Sequence, residues 1–140
     1  MDRTQRFEIL TLAPRERVFA MAEALTDGSL GDIQVITPPT VGMIMARAQD
    51  GAKNEVFNLG EVLVTEARVS IAGHEGWGMI MGSSLDHALA VAIVDAALEA
   101  GHADRPTIER ELLGIAAATQ AAQEAELATI ASTRVSFDNF

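Results

Sequence analysis

The stretch Val62-Leu63-Val64-Thr65-Glu66-Ala67-Arg68-Val69-Ser70-Ile71, continuing through Ala72-Gly73-His74-Glu75-Gly76 into Trp77-Gly78-Met79-Ile80-Met81-Gly82, decides the fold. Two runs of β-branched and apolar residues flank the glycine-bounded segment Gly73 to Gly76, which is the pattern of paired strands and not of a helix. The same pattern extends towards the N-terminus. Ile33 to Thr37 and Val41 to Gln49 read as two more strands, with Pro38-Pro39 between them and Asp50-Gly51 after them. Gly60 marks a bulge or bend at the third run. No gap is long enough for a parallel crossover, so the last three strands are expected as an antiparallel meander.

Outside this region the periodicity is helical. Thr4 is placed to cap a short helix carrying Phe7 and Leu10, which stops at Ala13 because the residue before Pro14 is driven out of the α region. Pro14 opens a second helix whose Val18, Met21, Ala22 and Leu25 form one apolar stripe, closed by Thr26-Asp27-Gly28. Ser84 is placed to cap a third helix from Leu85 to about Ala100, ended by Gly101. Its two apolar strips predict burial on more than one side. A fourth, alanine-rich helix is expected from Pro106-Thr107 through Ala131. The order predicts one α+β domain over 1–140: a helical pair (1–28), an antiparallel sheet of about four strands (33–82), two C-terminal helices (84–131) and an extended tail (135–140) anchored by Phe137 and Phe140.

Composition narrows the functions. Hydrophobic residues are 49% of the chain but aromatics only 4%, so the core is built from Ala, Val, Leu, Ile and Met. Asp and Glu outnumber Lys and Arg 20 to 10, Lys53 is the lone lysine, and a net charge of −10 repels a phosphate backbone; nucleic acid is not an expected partner. With no cysteine there is no thiolate metal site, iron–sulfur cluster or thiol nucleophile, and no cofactor is expected. No signal-type segment opens the sequence and no segment has the length and apolarity of a membrane span, so the expected location is cytoplasmic.

The motifs offer little chemistry. A phosphate loop ending in Lys-Ser or Lys-Thr is missing. Gly76-Trp77-Gly78 resembles half a dinucleotide fingerprint but opens a strand, so it reads as a hairpin device. His74, His87 and His102 lack the spacing that places two imidazoles on one helical face, and no metal site is expected. Glu61 and Glu66 are an odd number of residues apart on one strand and point to opposite faces, with Glu66 beside Arg68. No nucleophile elbow occurs. Gly82-Ser83-Ser84, where strand becomes helix, is a candidate anion site with His87 as its acid or base, although any capped helix shares that geometry.

The strands carry a different signal. Met43 and Met45 share one face of their strand, as Trp77, Met79 and Met81 share one face of theirs, while the opposite faces hold Gly42, Ile44, Ala46 and Gly78, Ile80, Gly82. Both faces are apolar, so something covers each. The methionines and Trp77 are either core beneath the Leu85 helix or a partner interface.

Three blocks carry a family resemblance: Phe57-Asn58-Leu59-Gly60-Glu61 with Val64-Thr65 and Ala67-Arg68-Val69; Gly76-Trp77-Gly78 with Gly82, His87-Ala88 and Asp95-Ala96; and Arg134-Val135 with Phe137. By these the chain resembles the PhnG family, a small subunit of the bacterial carbon–phosphorus lyase assembly. The family often has a basic and then an acidic residue where this chain has Ser83-Ser84, and the tail here is short. The resemblance implies a complex with PhnH, PhnI and PhnJ homologues, in which PhnI carries transfer of phosphonate onto a ribosyl triphosphate and PhnJ is the iron–sulfur lyase. It implies a subunit without a complete active site of its own. Independently of the resemblance, a second copy of the chain is a further candidate partner. The alternative is a stand-alone ligand-binding domain or enzyme using the helix start at Ser84 and His87.

Overall fold

The computed structural model describes the backbone of residues 1–50 and 55–138, and the surroundings of side chains 1–47 and 55–129. The turn expected at Asp50-Gly51 and the anchors Phe137 and Phe140 lie outside what is so described. Two helices come first, α1 (Arg3–Leu12) and α2 (Arg15–Leu25), then β1 (Ile33–Asp50), β2 (Glu55–Ile71) and β3 (His74–Met81), then α3 (Leu85–Glu99) and α4 (Arg105–Asp138). The fold is α+β, with an antiparallel three-stranded sheet in the order β1-β2-β3.

The sheet has three strands where about four were expected, because Pro38-Pro39 does not end a strand. Thr37 pairs with Arg68 and Thr40 with Glu66, so the two prolines form an irregularity opposite Ala67 and the strand resumes. β1 lies at the sheet edge, where a proline's missing N–H costs no ladder bond on the open side. The expected bulge is present: pairing slips between Ala46 and Arg47 opposite Gly60, whose φ of +136° suits glycine. The hairpin between β2 and β3 is tighter than expected. Ile71 pairs with His74, leaving Ala72-Gly73 as a two-residue turn with both φ positive, and His74 to Gly76 belong to β3.

Helix α3 is the centre of the molecule. Ala88, Val91, Ala92, Val94, Ala96, Ala97 and Leu98 are buried, so both apolar strips are covered from Ala88 onward, while Leu85 at the helix start is exposed. They join one core with Val18, Met21 and Leu25 of α2, Leu10 of α1, Ala67, Val69, Ile71 and Ile80 of the sheet, and Ile108 and Leu112 of α4. Gly76 and Gly78 explain the close contact of α3 with β3. A Cβ at Gly78 would lie 2.1 Å from the Ala88 carbonyl oxygen, and one at Gly76 would lie 2.1 Å from that of Ala92. The Gly-Trp-Gly motif is therefore a helix-docking surface inside a strand, and not the hairpin device expected.

Helix ends differ in detail from expectation. Asp2, not Thr4, caps α1 through a capping box with Gln5. α1 stops at Leu12 before Ala13-Pro14, as the proline rule requires. α4 continues to Asp138, so through that residue the expected extended tail is helix instead. From Ala121 to Thr129 each residue of α4 is exposed. Alanine propagates a helix well without tertiary cover, which accounts for its length.

Candidate functional site

At the strand-to-helix junction, Gly82 takes a φ of +90° and turns the chain into α3. Ser84 occupies the cap position, but its hydroxyl donates to Asp86 Oδ1 at 3.0 Å and makes no bond to an α3 amide, which corrects the capping role expected of it. Thr65 ties the junction together. Its buried Oγ1 donates to the Gly82 carbonyl at 2.7 Å and accepts from the Ser84 amide at 3.1 Å. Asp86 accepts from the His87 amide at 3.0 Å and is paired with Arg15 from α2, a cation the sequence did not place here. The Ser84 hydroxyl, followed by Arg15, holds the Asp86 carboxyl below its usual range. Arg15 also lies 4.9 Å over the Phe19 ring, and Phe19 meets His87 edge-on at 6.3 Å. Burial first, then Arg15, lowers the His87 pKa, and its Nε2 is buried without a protein partner. Gly82, Ser84 and His87 are thus together, with an internal carboxylate already at the helix start and Ser83 exposed beside them.

A second polar cluster joins α1 to α3. Asp95, given in the sequence only as part of the block Asp95-Ala96, accepts from Arg6 Nη2 at 2.8 Å, Arg3 Nη2 at 2.9 Å and the Trp77 amide at 3.0 Å. Arg6 is 1% exposed and also pairs with Glu99 at 2.5 Å, an interaction that lowers the Glu99 pKa. Arg3 reaches the Glu75 carbonyl as well. Trp77 is fixed by stacking on Phe7 at 4.7 Å and by donating Nε1–H to Glu66 at 3.0 Å. The signal was available: Asp95 is the one charge in the run from Ala88 to Leu98. A charge amid apolar residues needs a partner. Apart from the Arg6 Nε, which is buried without a partner, these groups bond one another, and their chemistry is fastening.

His102 is buried, its Nδ1 accepting from the Asp104 amide at 3.0 Å and its Nε2 lying 3.3 Å from Asp27. Among the described residues, no group of three His, Asp or Glu side chains could hold a metal. Nor is any helix there long and apolar enough to cross a membrane. Glu61 and Glu66 face opposite sides of β2 as expected, since Glu61 pairs with Met45 and Glu66 with Met79. Arg68 Nε lies 3.5 Å from Glu66.

The methionines divide. Cross-strand partners share a face, so the pairings Met43↔Leu63 and Gly42↔Val64↔Met81 put Met43 and Met45 on the α3 side and Trp77, Met79 and Met81 on the other. They are not one surface. Trp77 and Met79 are half-buried, whereas Met81 is 70% exposed and Met43 58%.

β3 ends where Met81 meets Val64, and beyond that point β1 and β2 continue alone as a two-stranded arm. Met43, Ile44, Met45, Val56, Phe57, Leu59 and Leu63 are all exposed on it. The block Phe57-Asn58-Leu59-Gly60-Glu61 lies here, away from the core. An isolated two-stranded ribbon is marginal in water, and one apolar on both sides is unusual on a monomer. This arm is the feature of the molecule whose composition its own fold does not use.

Comparison with known proteins agrees with the blocks identified in the sequence. The family model described as phosphonate metabolism protein PhnG matches residues 1–140. The alpha-D-ribose 1-methylphosphonate 5-triphosphate synthase subunit PhnG of Rhizobium meliloti (strain 1021) is 31% identical over 107 residues, covering 76% of this chain and 68% of that protein. A match over the whole chain, joined to that identity, shows that this protein belongs to the PhnG family.

Proposed function

We propose that the chain is an assembly subunit of a ribose methylphosphonate triphosphate synthase in phosphonate use, supporting transfer of phosphonate to a ribosyl triphosphate without supplying the reacting groups. The observation that carries this reading is the exposed two-sided apolar arm, which suits a protein completed by others. The name of the Rhizobium meliloti relative supports the reaction class. The polar clusters support the accessory role, since the side chains of Asp95, Arg6 and Asp86 already have partners within the chain. The partners proposed are PhnI, PhnH and PhnJ homologues, and the location is the cytoplasm.

The test is co-expression with those three homologues from one genome, followed by an assay of adenine release from ATP in the presence of methylphosphonate. The purified chain alone is expected to be inactive, and the assembly to lose activity when the chain is left out. Adenine release by the chain alone would overturn the reading.

A second reading places an anionic ligand at Gly82, Ser83, Ser84 and His87, favoured by Arg15 and by the unpartnered His87 Nε2. Such a ligand has to displace the Asp86 carboxylate from Arg15. Titration of the chain with inorganic phosphate decides it, and saturable binding lost in Arg15→Ala supports this reading.

A further inference from the structure

The arm is apolar on both of its faces, and among the described residues no ion pair reaches its carboxylate at Glu61. Met43, Met45 and Leu63 lie on the α3 side, with Glu61 opposite Met45 in the same row; Ile44 and Val62 lie on the other side. Strands covered on one face alternate apolar with polar, whereas strands covered on both read as continuous apolar runs. Met43 to Ala46 and Val62-Leu63 are of the second kind, yet Met43, Ile44, Met45 and Leu63 stay exposed within the chain, and full cover begins only at the buried Val64. Among the described residues Glu61 has no ion pair, although its neighbours across and along the strands are Met45 and Leu63. A carboxylate in an apolar row is costly to cover unless a cation meets it.

The extent of the surface fits a stable interface. The seven exposed apolar residues of the arm present on the order of 700 Å² in all, near the ~800 Å² that one partner contributes to an interface of ordinary size. A second copy is the weaker occupant. Each chain has a formal charge of −10, so pairing two copies sets like-charged bodies side by side.

Resting on the assembly-subunit reading, we propose that the arm inserts into an apolar cleft of a different protein chain, which covers both faces of the β1–β2 ribbon and presents an arginine or lysine to Glu61. The mode is insertion of a paired two-stranded ribbon and differs from docking against one sheet face. Affinity then depends on side chains from both faces at once.

The experiment uses the co-expressed assembly described above and measures the retained affinity of four full-length variants: Met43→Asp on the α3 side, Ile44→Asp on the other, and Glu61→Arg and Glu61→Gln. Because none of these residues is in the core, thermal unfolding of each isolated variant is expected to match the wild type. Both aspartate variants are expected to weaken assembly by at least about tenfold, as is charge reversal at Glu61, with Glu61→Gln losing less. Wild-type affinity in Ile44→Asp beside a large loss in Met43→Asp would replace insertion by one-faced docking and overturn the proposal. So would an unchanged Glu61→Arg. Sedimentation of the isolated chain is expected at monomer mass; a dimer abolished by Met43→Asp would make the occupant a second copy. If the wild-type chain itself fails to assemble, the subunit reading falls and takes the arm proposal with it, a result distinct from loss in the variants alone.

Discussion

Replacing Gly78 by alanine tests the closest approach in the molecule. Gly78 lies within β3 without a positive φ, so a Cβ there brings no backbone strain, and removing a glycine from a strand would by itself stabilise by about 0.5–1 kcal/mol. The neighbouring helix reverses the sign. The new Cβ would lie 2.1 Å from the Ala88 carbonyl oxygen and 2.7 Å from the Ala92 amide nitrogen, both backbone atoms of the buried helix α3. Relieving the shorter contact requires α3 to withdraw by about 1.3 Å, a gap at which packed atoms lose a quarter to a half of their dispersion attraction or more. Gly76 holds the same helix one turn further on, so α3 must tilt or lift as a whole. Overpacking costs roughly 1–3 kcal/mol where side chains can adjust, and with backbone against backbone a net loss of about 3 kcal/mol is expected. That corresponds to a fall in Tm of roughly 10 °C for a domain of this size. Urea unfolding followed by circular dichroism measures it, with fluorescence of the single tryptophan, Trp77, as a local probe. A companion substitution, Ala88→Gly, should not rescue the variant, because the obstruction is the Ala88 carbonyl and not its methyl group. A loss below about 0.5 kcal/mol, or full rescue by Ala88→Gly, would refute the argument that backbone proximity selects glycine at this position.

Other expectations follow from the polar clusters. Asp95→Ala should cost about 3–5 kcal/mol in chemical denaturation, because it leaves the buried Arg6 guanidinium without one of its two carboxylates and removes the acceptor of the Trp77 amide. Thr65→Val should cost about 2 kcal/mol, since one hydroxyl serves both the Gly82 carbonyl and the Ser84 amide, whereas Ser84→Ala, whose hydroxyl bonds only Asp86, should stay within about 0.5 kcal/mol. On acidification Tm should fall in two stages. His87 has a folded pKa below its ordinary 6.5, so the unfolded chain takes up that proton first and stability begins to drop as pH falls through about 6.5, a step that His87→Phe should remove. Asp27, held at about 2 mainly by the Ser29 hydroxyl and amide, and Glu99, lowered mainly by Arg6, stabilise the fold above their unfolded pKa values; that contribution disappears as pH falls from about 4 towards 2.

Much of the architecture was legible because local rules decide it. The turn residues, the periodicity of α2 and α3, the break before Pro14 and the bulge at Gly60 depend on backbone sterics and near-neighbour patterning, which a sequence states directly. The blocks around Phe57 to Val69 and Gly76 to Ala96 were enough to indicate the PhnG family. Where prediction failed, a long-range circumstance intervened. Pro38-Pro39 looked like the end of a strand, and only the edge position of β1 lets the strand pass through them. Ser84 has the composition of a cap, but Thr65 and Asp86, brought in from β2 and α3, take over its polar groups. Alternation gives each strand's methionines a period and no register between strands; pairing of Val64 with Met81 and of Met43 with Leu63 divides them between opposite sides. Arg6 and Asp95, 89 residues apart, become a buried ion pair through helix docking. What the sequence by itself determined was the element types, the apolar strips and the family. Tertiary structure alone decided which apolar residues the core consumes and which remain exposed on the arm, since burial depends on where β3 ends beside β2 and no residue of the arm records that limit.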